Sequence, residues 1–280
     1  MIRRTLTKVG RALLPEALKG PLRKRIQKGS PMPADLPFGL VKENGSFTAR
    51  LPNESKIRIP PQILSEFRSN FENDWDEMHS FLDIAKDAQV LFDVGADKGV
   101  MAATFAALGA TKQSFAYEPS PSGCALMSEL LALNALDKQV EIIPKVVAER
   151  SGKVSFSQEE SGYVQVVPVD SANELQTESV SLDDECARLG LAPDVVKIDV
   201  EGYEGEVLRG AEKLLAEKGP IICLELHLAY LEKRGIKPQG ILHMLEQKGY
   251  LIFCLDGKPV SPRKAVNSVR QIVRVVCHKS

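Results

Sequence analysis

Short apolar runs alternate with longer segments of helical periodicity along residues 90–248, and this alternation limits the fold more than any other feature. The apolar runs cover 90–94, 114–117, 140–143, 195–198 and 221–226, and the helical segments cover 100–108, 124–136, 182–189, 203–217 and 239–248. Strands that are apolar throughout and joined by amphipathic helices are typical of a parallel sheet covered on both faces. We therefore predict an α/β, doubly wound, mostly parallel sheet.

Two further apolar runs, 251–255 and 271–277, complete a seven-stranded sheet. The connection between them is too short for a good helix, so we expect the last strand to run antiparallel to its neighbours. A hairpin inserted at 154–156 and 164–169 is expected before the fourth core strand. We assign 85–280 to this domain.

The residues before the domain divide into a basic tail, 1–28, and a small N-terminal extension, 29–84. The extension is rich in proline and glycine, and its pattern predicts a hairpin at 47–51 and 57–59 followed by one helix over 65–85. The tail holds nine lysines and arginines and one acid, although the whole chain has a net charge of −1. We interpret the tail as a solvated segment, with peripheral contact to an anionic membrane as the alternative.

Charge and cysteine usage exclude several classes of protein. The basic tail contains no aromatic residue to stack on bases, so no nucleic-acid partner is expected. No apolar run is long enough to cross a membrane. The five cysteines are widely spaced and form no C-x-x-C pair, which is typical of reduced thiols in a cytoplasmic protein. The oligomeric state cannot be predicted.

Residues that follow the first two strands predict a nucleotide-type cofactor site. In an open α/β sheet, ligands bind where strands end and helices begin. The first strand leads into a turn that contains Asp93, Gly95, Ala96, Asp97 and Gly99. Its two glycines allow a sharp turn and a close approach of ligand to backbone. The second strand leads into Glu118, Pro119 and Ser120, and the Glu118 carboxylate can accept both hydroxyl hydrogens of a ribose.

The spacing of the glycines favours S-adenosylmethionine over a dinucleotide. A dinucleotide enzyme also combines a glycine turn with an acid about 20 residues later. Here Asp97 stands where the central glycine would approach the pyrophosphate, and its charge would repel that group. S-adenosylmethionine has no phosphate and carries a sulfonium and an ammonium, which carboxylates such as Asp93 favour. An NAD(P)-dependent oxidoreductase and a non-catalytic ligand-binding protein of the same fold stay as alternatives.

Acids and a histidine follow the fourth and fifth strands. Asp199 and Glu201 stand two residues apart at one strand end, and Glu225 and His227 stand two apart at the next. An acid that ends a buried apolar run needs a specific partner. We take these four residues as the candidate catalytic set, with satisfied core-edge residues as the alternative for Glu225 and His227.

Five segments together resemble the FkbM family of S-adenosylmethionine-dependent methyltransferases: FDVGADKG, YEPSP, SLDDE, KIDVEGYEGEVLRGA and ELH. The resemblance implies a class I, Rossmann-like methyltransferase fold and O-methylation of a hydroxyl on a sugar, glycan, glycolipid or secondary metabolite. It implies that residues 93–99 line the donor site, that Glu118 binds ribose and that residues 199–202 lie under the methyl group. A small-molecule or glycan substrate is the expected partner.

Methyl transfer to a hydroxyl needs an aligned acceptor and a base, because a sugar hydroxyl is weakly acidic. We predict His227 as the base, since histidine titrates near neutral pH, with Asp199 or Glu201 as the second choice. A Mg²⁺ ion held by Asp199, Glu201 and Glu225 is an alternative way to polarise the hydroxyl, but a metal is not expected.

Overall fold

The computed structural model of the protein describes residues 38–43, 45–158, 164–167, 175–269 and 271–280. The predicted basic tail, 1–28, lies outside these residues, and so does the membrane contact suggested for it. Within the described residues, no helix combines the length and the apolar character that crossing a bilayer requires.

The main sheet has seven strands in the order β13-β14-β12-β11-β4-β5-β6. These strands are β4 (Val90–Val94), β5 (Gln113–Tyr117), β6 (Val140–Ile143), β11 (Val195–Ile198), β12 (Ile221–His227), β13 (Tyr250–Cys254) and β14 (Ile272–Lys279). Strands β11, β4, β5, β6 and β12 pair in parallel, whereas β14 pairs antiparallel with both β12 and β13. The predicted doubly wound sheet with an antiparallel last strand is confirmed.

Helices cover both faces of this sheet, and each face has its own apolar core. The helices are α1 (Leu64–Arg68), α2 (Trp75–Ala85), α3 (Val100–Ala107), α4 (Pro121–Asn134), α5 (Leu182–Leu189), α6 (Glu204–Arg209), α7 (Leu228–Lys233), α8 (Pro238–Gln247) and α9 (Pro262–Asn267). The chain winds outward from β4 to β6 and returns to β11. The strand order therefore reverses between β4 and β11, which is where such sheets bind ligands.

Two smaller sheets accompany the main one. The first consists of β1 (Gly39–Glu43), β2 (Ser46–Arg50) and β3 (Lys56–Arg58), and it includes the predicted hairpin together with a strand that the sequence did not indicate. The second consists of β7 (Val146–Val147), β8 (Gly152–Gln158), β9 (Val164–Val167) and β10 (Leu175–Val180), in the order β7-β10-β8-β9. It contains the predicted inserted hairpin as the antiparallel pair β8 and β9.

The extension shares a core with the main sheet. Phe67 and Phe71 are fully buried in the apolar cluster that also contains Leu91 and Phe105. The side chain of Asn134 at the end of α4 accepts a hydrogen bond from the backbone of Arg58 at 2.7 Å. The extension is therefore packed as a layer over α3 and α4, and our division of the chain at residues 28 and 84 stays a prediction.

Three predicted helical features differ in the structure. The single helix expected over 65–85 is two helices separated by a π-helical turn, Ser69–Asn73, because Asp74 leaves helical geometry with φ −110° and ψ 36°. The helix expected over 203–217 ends at Arg209, and a second π-helical turn follows at Leu214–Lys218. The connection before β14, which looked too short for a helix, contains the six-residue α9.

His278 makes the stability of this fold sensitive to acid. Its ring lies edge-on to Phe253 with centroids 5.7 Å apart, and its Nε2 atom is buried without a hydrogen-bond partner among the described residues. Burial lowers the pKa of His278 from 6.5 to about 4. The unfolded chain therefore binds more protons than the native protein between these values, and stability is lost as pH falls from 6.5 towards 4.

Through His278, the wild type should lose about 2 kcal/mol of unfolding free energy between pH 8 and pH 5. The variant His278→Phe should not show this loss. Urea unfolding at the two pH values measures this difference for the variant and the wild type. An unchanged difference would contradict the burial of a neutral imidazole at this position.

Candidate active site

The predicted site residues meet in a cavity of about 530 Å³ at the carboxyl edge of the main sheet, where the strand order reverses. Ten of them line it: Asp93, Gly95, Ala96, Asp97, Glu118, Pro119, Asp199, Glu201, Glu225 and His227. A cavity of this size is typical of small-molecule and cofactor sites.

Gly95 brings the ends of β4 and β11 together. Its φ is +79°, and a Cβ atom built on it would lie 1.9 Å from the carbonyl oxygen of Asp199. The backbone N–H groups of Gly95 and Ala96 both donate to the carbonyl of Tyr117, at 3.0 and 3.1 Å. The turn is therefore held against β5 and β11, the two neighbours of β4, and only glycine fits at position 95.

Two cavity residues adopt a left-handed backbone although neither is glycine. Asp97 has φ +46° and Glu201 has φ +51°. Such conformations cost about 1–3 kcal/mol and are concentrated at functional sites. At both positions the strain comes with a carboxylate at the wall of the cavity.

The Glu118 carboxylate is fixed before any ligand arrives. One of its oxygens accepts from the backbone N–H of Asp97 at 2.9 Å, and the other accepts from the N–H of Ser120 at 2.7 Å. Each oxygen keeps a free lone-pair direction. Burial raises the pKa of Glu118 to about 7, although the two N–H donors oppose that rise.

Asp93 is a buried carboxylate without a well-placed hydrogen-bond donor, although the backbone N–H of Ala102 helps to lower its pKa. It is 1% exposed, and neither of its oxygens has a hydrogen-bond partner among the described residues. Burial raises its pKa to about 6, whereas the nearby ammonium of Lys197 opposes the rise. A buried acid that lines a cavity and lacks a donor is ready to bind a cationic or hydrogen-bonding group of a ligand.

His227 lies at the centre of four carboxylates. Its Nδ1 atom is 3.7 Å from Asp199 and 3.5 Å from Glu204, and its Nε2 atom is 3.6 Å from both Glu201 and Glu225. Burial lowers the pKa of His227, but these four acids outweigh burial and raise it to about 9. The sequence-based expectation that this histidine titrates near neutral pH is therefore wrong, because Glu204 and the other acids favour the imidazolium.

Lys197 and Arg274 neutralise part of this acidic wall. The Lys197 ammonium is buried and lies 3.0 Å from an Asp199 oxygen, and it holds the pKa of Asp199 below its usual value against the effect of burial. Arg274 donates two hydrogen bonds to Glu225, at 2.9 and 3.0 Å, and one to Asp74 at 3.0 Å. Burial and the neighbouring Glu225 raise the pKa of Glu77, which also contacts Arg274, to about 8.

Sequence analysis missed Asp74, Glu77 and Arg274. Arg274 and Asp74 are separated by 200 positions, so no local pattern links them. The one available signal is an arginine inside the apolar run 271–277, since a charge within a buried strand requires a partner.

Two predicted cofactor residues do not line the cavity. Gly99 starts α3 in a left-handed conformation, and a Cβ atom there would lie 2.4 Å from the side chain of Met127. Ser120 caps α4 by accepting from the N–H of Gly123 at 3.2 Å. Both residues shape the loops around the cavity through internal contacts.

The residues proposed for a metal fit a divalent cation poorly. Glu225 is engaged by Arg274, and only Asp199, Glu201 and His227 offer ligand atoms within 4.8 Å of one another among the described residues. The Lys197 ammonium already binds Asp199, and the surrounding acids favour a protonated His227. Metal binding requires the neutral imidazole and would add a second positive charge beside Lys197.

Comparison with known families decides the identity of this domain. The family model described as the methyltransferase FkbM domain matches residues 93–252. The chain belongs to the FkbM methyltransferase family. The match covers every predicted site residue, from Asp93 to His227, and confirms the resemblance seen in the sequence motifs.

Two curated relatives are named as methyltransferases. The chain is 29% identical over 177 residues to hexuronic acid methyltransferase AglP of Haloferax volcanii, covering 61% of this chain and 67% of that protein. It is 26% identical over 154 residues to 2-O-methyltransferase NoeI of Sinorhizobium fredii, covering 48% and 62%. A solved FkbM methyltransferase from Methylobacillus flagellatus shares 19% identity with a TM-score of 0.44, covering 69% of this chain and 44% of that one.

Proposed function

We propose that this FkbM-family protein transfers a methyl group from S-adenosylmethionine to a hydroxyl group of a sugar or sugar-containing molecule. The observation that carries the proposal is the pair of buried carboxylates, Asp93 and Glu118, at the strand ends beside the reversal of strand order. The two acids differ in hydrogen bonding, since Glu118 is fixed by two backbone donors, whereas the oxygens of Asp93 have no well-placed donor in the described part of the chain.

The donor would be held by the residues of this edge. Glu118 can accept the two ribose hydroxyl hydrogens with its free lone pairs, because its orientation is already fixed. Asp93 can receive the ammonium group, which would supply the donor that its buried oxygens lack. When bound, S-adenosylmethionine supplies a methyl group on a sulfonium, and that sulfur is a good leaving group.

His227 is our choice for the base that removes the acceptor proton. The acids that raise its pKa to about 9 also make its neutral form a stronger base towards a weakly acidic hydroxyl. The Asp199 carboxylate, which Lys197 keeps ionised, can stabilise the imidazolium after proton transfer. Glu201 is the second choice, because burial raises its pKa to about 7 and its Oε2 atom has no hydrogen-bond partner among the described residues.

Polar side chains favour a hydroxyl-bearing acceptor over a flat aromatic one. Part of the cavity wall is formed by Ser69, Asn70, Asp74 and Glu77. The hexuronic acid named for one curated relative and the 2-O-methylation named for the other agree with this choice. A dinucleotide oxidoreductase is disfavoured by Asp97 at the cavity wall, and a non-catalytic binder gives no reason for the ring of acids around His227.

Donor binding tests the proposal directly. We expect S-adenosylmethionine and S-adenosylhomocysteine to bind the wild type in calorimetry, and NADH to give no heat. Glu118→Ala should weaken donor binding at least 100-fold, because it removes both ribose contacts and leaves the N–H groups of Asp97 and Ser120 unpaired.

Glu129→Ala is the matched control, since Glu129 is exposed on the helix that follows Glu118. It should bind the donor as the wild type does. A folded wild-type protein that gives no heat with either S-adenosyl compound overturns the proposed function, and an unaffected Glu118→Ala variant overturns the role of Glu118.

A further inference from the structure

Two parts of the chain form the cavity, one inside the segment that matches the family model and one outside it. Its donor side comes from residues 93–119, inside the segment that matches the family model. A second part of the wall comes from outside that segment and includes Glu66, Ser69, Asn70, Asp74, Glu77 and Arg274. The substrates of relatives therefore do not determine what this wall accepts.

Acidic residues dominate the charged part of the lining. The cavity is lined by nine aspartates and glutamates, four lysines and arginines, and one histidine. Each of the four basic side chains is already paired with an acid of this chain: Lys98 with Glu66 at 2.9 Å, Lys145 with Glu178 at 2.8 Å, Lys197 with Asp199 at 3.0 Å and Arg274 with Glu225 at 2.9 Å. A carboxylate on the acceptor would have to displace one of these partners.

Acids of this chain surround the basic side chain of Arg274. Its guanidinium contacts three acids, Glu225 at 2.9 Å, Glu77 at 2.8 Å and Asp74 at 3.0 Å. Glu77 and Asp74 belong to the extension, and Arg274 belongs to the last strand. Because these three acids occupy the guanidinium, this corner offers an anionic sugar no free counter-charge.

Polar side chains in the same wall can hydrogen-bond to sugar hydroxyls. The π-helical turn Ser69–Asn73 brings Ser69 and Asn70 to the cavity beside Asp74. π-helical turns inside helices occur frequently at functional sites. Hydroxyl, amide and carboxylate groups can all hydrogen-bond to an uncharged polyol without the need for a counter-charge.

We propose that the acceptor is an uncharged sugar, and that Asp74 and Glu77 exclude uronic acids by occupying Arg274. This inference rests on the proposed methyltransferase function and specifies its substrate class. It separates the chain from its hexuronic acid relative, whose acceptor carries a carboxylate.

Saturation-transfer NMR with matched glycosides tests the inference. The protein is first titrated with S-adenosylhomocysteine by calorimetry, so that a failure of donor binding is recognised as a failure of the proposed function. The liganded protein is then mixed with the methyl glycosides of glucose, galactose and mannose and with those of the three corresponding uronic acids. At least one neutral glycoside should give a signal, and its uronate should give one at least fivefold weaker.

The variant Asp74→Asn/Glu77→Gln tests the assigned residues. With Asp74 and Glu77 replaced by amides, which hold a guanidinium more weakly than carboxyl groups do, Arg274 should accept a carboxylate, and the ratio of the uronate signal to the neutral signal should rise at least fivefold. Asp74→Asn alone should give a smaller rise and serves if the double variant unfolds. Glu72→Gln, an exposed acid from the same turn, should match the wild type.

Three results would overturn the inference in a protein that binds S-adenosylhomocysteine. They are a uronate signal less than fivefold below the neutral one, no signal from any neutral glycoside, and a uronate signal that both Asp74 variants leave unchanged.

Discussion

Replacing His227 with glutamine is expected to lower the turnover number for methyl transfer about 10²–10⁴-fold, the usual contribution of a positioned base. Donor affinity should change little, because His227 lies on β12 and Glu118 follows β5, and two strands, β11 and β4, stand between β12 and β5. Glutamine keeps a polar side chain in the cluster but cannot take up a proton. A loss confined to turnover would therefore assign the proton transfer to the imidazole.

The same assignment predicts an alkaline pH profile. Because the pKa of His227 is raised to about 9, most molecules carry the imidazolium at pH 7 and only the small neutral fraction can act as base. The turnover number should rise about tenfold per pH unit from pH 6 and level off near pH 9. Stopped assays with labelled donor at saturating acceptor, between pH 6 and pH 10, measure this profile.

A plateau reached already near pH 7 would instead point to Glu201, whose pKa is raised to about 7 by burial. His243→Gln is the matched control, since this histidine is exposed on α8 and pairs with Glu246, which does not belong to the cluster. It should keep the wild-type turnover and profile. Full turnover in His227→Gln would refute the assignment of the base.

Residues at the strand ends could be predicted because their surroundings are set locally. A buried parallel strand is apolar throughout, so Asp93, Glu118, Asp199 and Glu225 stand out against their neighbours. The topology then brings these residues to one edge of the sheet. The mostly parallel sheet, its antiparallel last strand and the meeting of these residues at one edge followed from that pattern.

The wall formed by Asp74, Glu77 and Arg274 could not be predicted, because its geometry depends on contacts between distant segments. The apolar residues around Asp74 and Glu77 have the spacing of one continuous helix, whereas in the structure the helix breaks at Asp74, which pairs with Arg274. The pKa of His227 was misjudged for a related reason. Glu204 begins the helix after β11 and was not among the predicted site residues, yet it lies 3.5 Å from the imidazole.

Gly95→Ala is the second change with a large expected effect, and it tests the contact that joins the two halves of the sheet. A left-handed backbone costs a residue with a Cβ atom about 1–2 kcal/mol. The added methyl group would also lie 1.9 Å from the Asp199 carbonyl oxygen, so β4 and β11 must move apart. Overpacking of this kind costs a further 1–3 kcal/mol or so, giving a total loss of unfolding free energy of about 2–5 kcal/mol.

Gly190→Ala separates the two contributions, because Gly190 also has a positive φ, +67°, but has no atom within 4 Å of the built Cβ. It should lose only the backbone part, about 1–2 kcal/mol. Urea unfolding of both variants measures the difference, and calorimetry with S-adenosylhomocysteine measures its consequence at the donor site. Since Gly95 lines the cavity and Gly190 does not, only Gly95→Ala should also weaken donor binding. Equal losses of stability in the two variants would mean that the strand ends at Asp199 and Gly95 are not in close contact.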